Sequence, residues 1–365
     1  MRYYIIAGEA SGDLHGSNLI KAMHTKDPQA DIRCWGGDRM QNAGATLVKH
    51  YRDLAFMGFV EVLAHLRTIF NNIAFCKKDI IIYKPDVLVL IDYPGFNLRI
   101  AEWAHQQGIR VVYYISPQVW AWKENRVKKI KQCVDKMLVI LPFEVDFYKK
   151  WNYDVTYVGH PLVEVISNEK NNVPVVRLSE KPIIAILPGS RAQEIKLKLP
   201  IMLQMVKHFP DHQFVVAQAP SQPDSLYKDI IQGENVLLAP NQTYNLLKQA
   251  TAALVTSGTA TLETALFAVP QVVCYKGNAL SFMLAKKLVK VKYISLVNLI
   301  MDKPAVTELI QNDLNETLLL QTLNKLLNDE AYKKELKEDY ATLWHELGNN
   351  PASDNAADAI IRSMS

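Results

Sequence analysis

"DVLVLIDYPGFN" (Asp86–Asn97) opens with an acid and then runs through five apolar residues without a break. A strand with one wet face alternates polar and apolar residues. An unbroken run, stopped at once by an acid and a Pro-Gly pair, reads as a strand covered on both faces, as in a parallel sheet. The next stretch, "NLRIAEWAHQQG", carries a helical pattern with Asn97 as its N-cap and Gly108 closing it. Asp92 stands at the corner between strand and helix. Either it merely ends the strand and caps a turn, or it faces a crevice and takes a proton there.

The same unit recurs on both sides of this stretch. "YYIIAG" (Tyr3–Gly8) reads as a strand and "SNLIKAMHTK" as the helix after it. "IRVVYYIS" and "KMLVILP" are further strands. Around Ser167–Lys181 the pattern lapses into the polar "SNEKNNVPVVRLSEK", which reads as a linker. A second series then opens with "PIIAILPG", "HQFVVAQAP", "NVLLAP", "AALVTSG" and "QVVCY". The chain is therefore α/β and falls into two halves that are built alike, an N-terminal domain over 1–170 and a C-terminal domain over 171–340. A charged helical tail, 341–365, packs back on the N-terminal domain or on a partner subunit, and a homodimer is one assembly this allows. Paired domains of this kind bind ligands at the carboxyl ends of their strands, in a crevice between the halves.

Composition narrows the function. A chain of 365 residues with 49% hydrophobic and 21% charged residues suits two soluble domains. A net charge of +4 is too mild for a nucleic-acid binder. Cys34, Cys76, Cys133 and Cys274 stand at wide spacings with no C-x-x-C pair, which suits a reducing cytosol and suggests neither a zinc nor a redox site. No acid cluster has metal-ligand spacing, so neither a metal nor a cofactor is expected. The N-terminus lacks the apolar region and cleavage site of a signal peptide, and no stretch approaches the roughly 20 apolar residues of a spanning helix.

Three further constellations sit where strands end. "GEASGDLHG" (Gly8–Gly16) sets Glu9, Asp13 and His15 among three glycines. Its two acids would repel a phosphate, so a sugar or an amine fits better; the bland reading is a tight turn with Asp13 as a cap. "LPGSR" (Leu187–Arg191) ends the first strand of the second half, where Gly189 and Ser190 open a helix whose free N–H groups favour an anion and Arg191 adds a fork of donors. "TSGTATLE" (Thr256–Glu263) offers Ser257, Gly258, Thr259 and Thr261 to wrap a diphosphate, with Glu263 able to cap amides or to accept both hydroxyls of a ribose. Phosphate chemistry thus falls on the second half and carboxylates on the first. A nucleotide-diphosphate sugar held by one and a base supplied by the other give glycosyl transfer.

Taken together, "AGEASGDLHG", "MGFVEVL", "KPDVLVLIDYPGFN", "YYISPQVWAW", "LPGSR", "TSGTATLE" and "YISLVNL" resemble the successive blocks of the lipid-A-disaccharide synthase family. The resemblance runs from about residue 7 to residue 300. It implies a GT-B fold, two Rossmann-like domains with parallel sheets facing a central crevice, and an inverting, metal-independent hexosyltransferase. The donor it implies is UDP-2,3-diacylglucosamine and the acceptor 2,3-diacylglucosamine 1-phosphate (lipid X). The products are a β-1,6 disaccharide 1-phosphate and UDP, on the route to lipid A. On the same grounds Asp92 is the catalytic acid–base residue, with Glu9 and Asp13 beside it. Gly189, Ser190, Arg191, Ser257, Gly258, Thr259 and Glu263 bind UDP, and Asn298 joins that set as the match of a conformationally important polar residue near the nucleotide. Ser11, His15, Ser116 and Gln118 contact acceptor or sugar, and Trp120 and Trp122 are read as packing. The chain departs from some relatives at Gly95, where an Asp can stand, and at Val297, where a Pro can stand.

Acylated substrates call for an apolar surface. Phe56, Met57 and Phe59 crowd around a glycine within "LAFMGFVEVLAHLRTIF", and Lys286, Lys287, Lys290 and Lys292 interleave with apolar residues in "SFMLAKKLVKVKY". A basic amphipathic segment can lie on anionic lipid, so the expectation is a cytoplasmic protein attached peripherally to the bacterial inner-membrane surface. The competing readings are a GT-B UDP-sugar epimerase or soluble-acceptor transferase, and a nucleotide-sugar binding module without catalysis.

Overall fold

The computed structural model describes residues 1–54, 66–172, 174–278, 282–283, 291–348 and 350–364. Phe56, Met57, Phe59, Lys286, Lys287 and Lys290 lie outside the described residues. The chain forms two compact units, Met1–Pro161 with Leu347–Ser365, and Leu162–Glu346. The division expected at 170/171 thus falls at Pro161, where helix Pro161–Asn172 begins. That helix runs well into the stretch read as a linker, because Leu162, Val163 and Ile166 are buried and give it an apolar stripe.

The first unit is built on seven parallel strands: β1 (Arg2–Ala7), β2 (Asp31–Gly36), β3 (Thr46–His50), β4 (Val87–Ile91), β5 (Arg110–Tyr114), β6 (Lys136–Val139) and β7 (Thr156–Tyr157). Their order is β3-β2-β1-β4-β5-β6-β7. All five residues of β4 are fully buried, as the unbroken run requires. Alternate residues feed opposite faces: Leu88 and Leu90 join Tyr4, Ile6 and Tyr113 on one, while Val87, Val89 and Ile91 join Tyr3 and Ile5 on the other. The second face is completed from the far end of the chain, where helix Ala352–Arg362 contributes Ala356, Ala357 and Ile360 and packs on helix Ala10–Lys26.

The second unit has six parallel strands: β8 (Ile183–Leu187), β9 (Gln213–Gln218), β10 (Val236–Pro240), β11 (Ala250–Thr256), β12 (Gln271–Tyr275) and β13 (Thr307–Ile310), in the order β10-β9-β8-β11-β12-β13. In both units the order reverses beside the first strand, between β1 and β4 and between β8 and β11. Such a switch point leaves a gap between the diverging connections at the carboxyl ends, where ligands bind. The register fixes what faces each gap. Ala7 pairs with Ile91, so Glu9 and Asp92 emerge side by side. Leu187 pairs with Val255, so Gly189–Arg191 and Ser257–Thr259 emerge side by side.

Two local readings are corrected. The helix after β4 is Pro94–Gln106, with Tyr93 at its N-cap position, so Asn97 lies inside the first turn. Pro at N1 starts the helix earlier than a capping Asn would. The helix after β1 is Ala10–Lys26, so Gly12 and Gly16 are helical and buried; a side chain at either would press on Ala7 or Met40.

Candidate active site

In the first unit the chain turns out of β4 through two consecutive residues in the left-handed region, Asp92 (φ 44°) and Tyr93 (φ 48°). Ile115, at the same position after β5, also has positive φ, at 65°. Left-handed backbone costs a residue with a side chain roughly 1–2 kcal/mol, and most for a β-branched one. The surroundings hold these corners in place. Asn97, fully buried, donates from Nδ2 to the carbonyls of Ile91 (3.1 Å) and Asp92 (2.8 Å). The Tyr113 hydroxyl, also fully buried, donates to the Asp92 carbonyl, and Asp92 N donates to Tyr114 O at 3.3 Å. Gly8 leaves room for the Tyr93 ring, which a Cβ there would meet at 2.3 Å.

The Asp92 side chain is half-buried and lines a cavity of about 310 Å³. Burial first, and the charge of Glu9 second, push its pKa up to about 6. Ser116 and Gln118 line the same cavity, together with Trp122, Lys123, Arg126 and Glu144. The Ser116 hydroxyl donates to Pro117 O at 3.0 Å and shares a hydrogen bond with Tyr148 at 2.7 Å. Trp120 packs edge-on against Phe143, but Trp122 is half exposed rather than packed. The sequence reading missed Glu144, which is 1% exposed and accepts from the amides of Ile140 (3.3 Å) and Leu141 (3.0 Å). Burial pushes its pKa up to about 7. The signal was available: an acid soon after "KMLVILP", at the corner that follows β6.

The Gly8–Gly16 residues divide. Glu9 and Ser11 are exposed at the start of their helix. Asp13 is turned onto the backbone. It is 4% exposed and accepts from the amides of Gly37 (2.7 Å), Arg39 (3.2 Å) and Met40 (3.1 Å), capping helix Asp38–Asn42. Both of its oxygens are taken, which is the bland reading of that residue. His15 has its Nδ1 buried without a hydrogen-bond partner, and burial lowers its pKa to about 4. His160 is lowered to about 3 by burial and by His15. Both imidazoles are neutral at physiological pH.

In the second unit Leu187, Pro188, Gly189, Ser190 and Arg191 face Ser257, Gly258, Thr259 and Glu263 across a cavity of about 500 Å³. Gly189 has φ 114°, and a Cβ there would meet a Glu194 carboxylate oxygen at 2.5 Å. Arg191 is exposed and lies 3.6 Å from Glu194. The ends of helices Ala192–Leu203 and Thr259–Leu266 present their first amides here, the arrangement that favours an anion. Beneath it Lys198, 3% exposed, bonds Thr256 Oγ1 and lies 3.7 Å from Glu194. Burial lowers the Lys198 pKa and the Glu194 charge opposes that shift. Tyr244 donates to Glu263 at 2.7 Å, and burial raises the Glu263 pKa.

Two residues of the expected UDP set differ in role. Ser257 lines the cavity but spends its proton on Ile294 O at 2.8 Å. Asn298 does not line it: the side chain donates to Val306 O and Glu308 Oε1, both at 2.9 Å, and accepts from Val306 N at 2.9 Å. Glu308 also takes the amides of Ile294 and Ser295, so this pair fixes the loop to which Ser257 is bonded. Thr261 is buried with its hydroxyl on Gly258 O.

The family model described as lipid-A-disaccharide synthetase matches residues 3–360. The chain belongs to that family. A lipid-A-disaccharide synthase from Geobacter metallireducens is 36% identical over 100% of this chain and 97% of its own length. As a member of the family the chain is a glycosyltransferase of lipid A biosynthesis. Among solved structures, the glycotransferase of kitacinnamycin covers 100% of this chain and 99% of its own at TM-score 0.68 and 14% identity. A UDP-GlcNAc 2-epimerase from Neisseria meningitidis covers the same shares at TM-score 0.66 and 12% identity. At such identities the likeness concerns the fold alone. It is the GT-B fold, which transferases and epimerases share, so the family is decided by the sequence match.

Proposed function

We propose that the chain transfers a 2,3-diacylglucosamine unit from UDP-2,3-diacylglucosamine to the 6-hydroxyl of 2,3-diacylglucosamine 1-phosphate. The hydroxyl oxygen attacks the anomeric carbon of the donor, and the bond from that carbon to the diphosphate breaks. The configuration inverts, UDP leaves, and the hydroxyl proton passes to Asp92. The observation that carries this reading is Asp92 itself: a carboxylate on a buttressed left-handed corner, lining a cavity, with a pKa raised to about 6. A base poised just below neutral pH is ionised in use and still takes a proton readily. The negative charge that develops on the leaving diphosphate is met in the second unit by Arg191, the amides after Gly189 and Gly258, and the buried Lys198 ammonium. Glu263, held by Tyr244, accepts the ribose hydroxyls. Asp13 and Asn298 shape the loops around these groups without touching substrate.

The test is incubation of the purified protein with both lipid substrates and mass spectrometry of the products. A disaccharide 1-phosphate is expected. An isomerised UDP-sugar formed without acceptor would make the chain an epimerase, and tight UDP binding with no turnover a binding module.

Membrane attachment belongs to the same proposal. Among the described residues no helix is long and apolar enough to cross a bilayer. Helix Leu66–Tyr83 nevertheless leaves Phe70, Phe75, Ile81 and Ile82 between 49% and 65% exposed. Phe70 and Ile81 fall on one helical face. Each large side chain buried in lipid is worth about 1.5–3 kcal/mol, enough for reversible attachment. Changing both to Ser reduces sedimentation with lipid vesicles while leaving turnover of a short-chain substrate unchanged.

A further inference from the structure

The cavity that holds Asp92 also carries two cations to which the transfer step gives no task. Lys123 follows the short helix Val119–Trp122 and Arg126 opens helix Arg126–Cys133, both between β5 and β6, and both line the cavity. Trp122 organises them: Lys123 Nζ lies 4.0 Å and Arg126 Cζ 5.9 Å from its ring centroid. The indole is 52% exposed, whereas Glu144 is 1% and Ser116 5% exposed. The carboxyl of Glu144 and the hydroxyl of Ser116 thus form the floor, and the indole with its cations forms the rim. Asp92 leaves β4, the strand hydrogen-bonded to β5. Asp92, Lys123 and Arg126 all line this one cavity of about 310 Å³, so base and cations face a common space.

We propose that Lys123 and Arg126 form the phosphate-recognition site for the acceptor, gripping a phosphate monoester at one end of the sugar while Asp92 meets the hydroxyl at the other. This rests on the transfer reading above and names the part of the cavity that selects the acceptor. A planar guanidinium and a mobile ammonium together can surround three phosphate oxygens, and stacking on Trp122 limits the rotamer freedom they lose on binding. The arrangement makes phosphate a positioning handle: it sets the distance from the anchored end to the reacting hydroxyl.

The experiment compares two acceptors, the sugar 1-phosphate and its phosphate-free analogue, with wild type, Lys123→Ala and Arg126→Ala. Each variant is expected to raise the KM for the phosphorylated acceptor about tenfold, equivalent to about 1.4 kcal/mol. The KM for the UDP-sugar and the melting temperature stay at wild-type values. With the phosphate-free acceptor, wild type and variants converge on the same high KM. Arg126→Lys recovers part of the loss. If the variants lose equally on both acceptors, the residues shape the cavity and recognise no phosphate, and the proposal falls. Loss of binding to anionic vesicles, with acceptor KM unchanged, would assign the cations to lipid headgroups and also overturn it. If wild type turns over neither acceptor, it is the transfer reading that fails.

Discussion

The corner after β4 and the corners after β8 and β11 solve one geometric problem in two ways. All three turn a buried parallel strand sharply into a helix at a switch point. In the second unit the turns use Gly189 (φ 114°) and Gly258 (φ 135°), where left-handed backbone costs no side-chain clash. In the first unit Asp92 and Tyr93 adopt left-handed backbone with side chains in place, and Asn97 and Tyr113 hold them there. Under the proposed function the difference follows from what each corner offers the ligand. Where backbone amides do the binding, a side chain is an obstruction. Where the corner residue is itself the proposed base, it keeps its side chain and the neighbours supply the restraint, as strained positions at functional sites generally require.

The sharpest way to break this contrast is Asp92→Asn. Asn tolerates left-handed backbone well, so the corner survives while the base is lost. Turnover falls roughly 10²–10⁴-fold. The melting temperature holds or rises, because the carboxylate that was removed was disfavoured by its burial. Turnover near the wild-type rate would make Asp92 a turn residue. Next in size is Asn97→Ala, which strips two carbonyls of a donor. Leaving a buried polar group unsatisfied costs about 1–3 kcal/mol, seen as a lower denaturation midpoint, and turnover drops with UDP affinity intact. A variant as stable and active as wild type would mean the corner needs no buttress.

On the glycine side, Arg191→Ala weakens UDP binding by about tenfold, since a charge-assisted hydrogen bond is worth about 1.5–3 kcal/mol and 1.4 kcal/mol is one decade. An unchanged dissociation constant would move the diphosphate off this corner. The smallest expected effect is electrostatic. The base must be ionised, so kcat/KM is lost as pH falls through about 6 and is retained above it. Glu9 adds to the upward shift, so Glu9→Gln moves that acid limb to lower pH. A limb that stays in place would remove Glu9 from the Asp92 environment.

How far these corners were legible in sequence follows from the range of the forces involved. Strands β1, β4, β8 and β11 are apolar because they are buried on both faces, and a run of that kind stands out. The edge strands β3, β7 and β13 are partly exposed and carry polar residues such as Thr46, Lys49 and Glu308, so their pattern fades. Asp92, Gly189 and Arg191 stand out in the sequence because they sit directly at strand ends. The backbone partners of Asp13, Gly37–Met40, are more than twenty residues away and so invisible locally, and the bonds of Asn298 to Val306 and Glu308 likewise leave no local trace, its conformational importance having come from the resemblance alone. Asn97 was read as a cap from its own preference, when the proline at Pro94 had already begun the helix. Lys198 looks like a solvated helix residue, and only packing reveals that it is buried, whereas Glu144 carries a signal in its place just after β6.

The central claim is a division of labour, in which the first unit's acid corner does the chemistry and the second unit's glycine corners hold the nucleotide. It is tested most directly by calorimetric titration of UDP into Asp92→Asn, set beside the turnover of the same preparation. The account predicts a wild-type dissociation constant for UDP together with the loss of turnover. A UDP affinity that falls in step with turnover would contradict it.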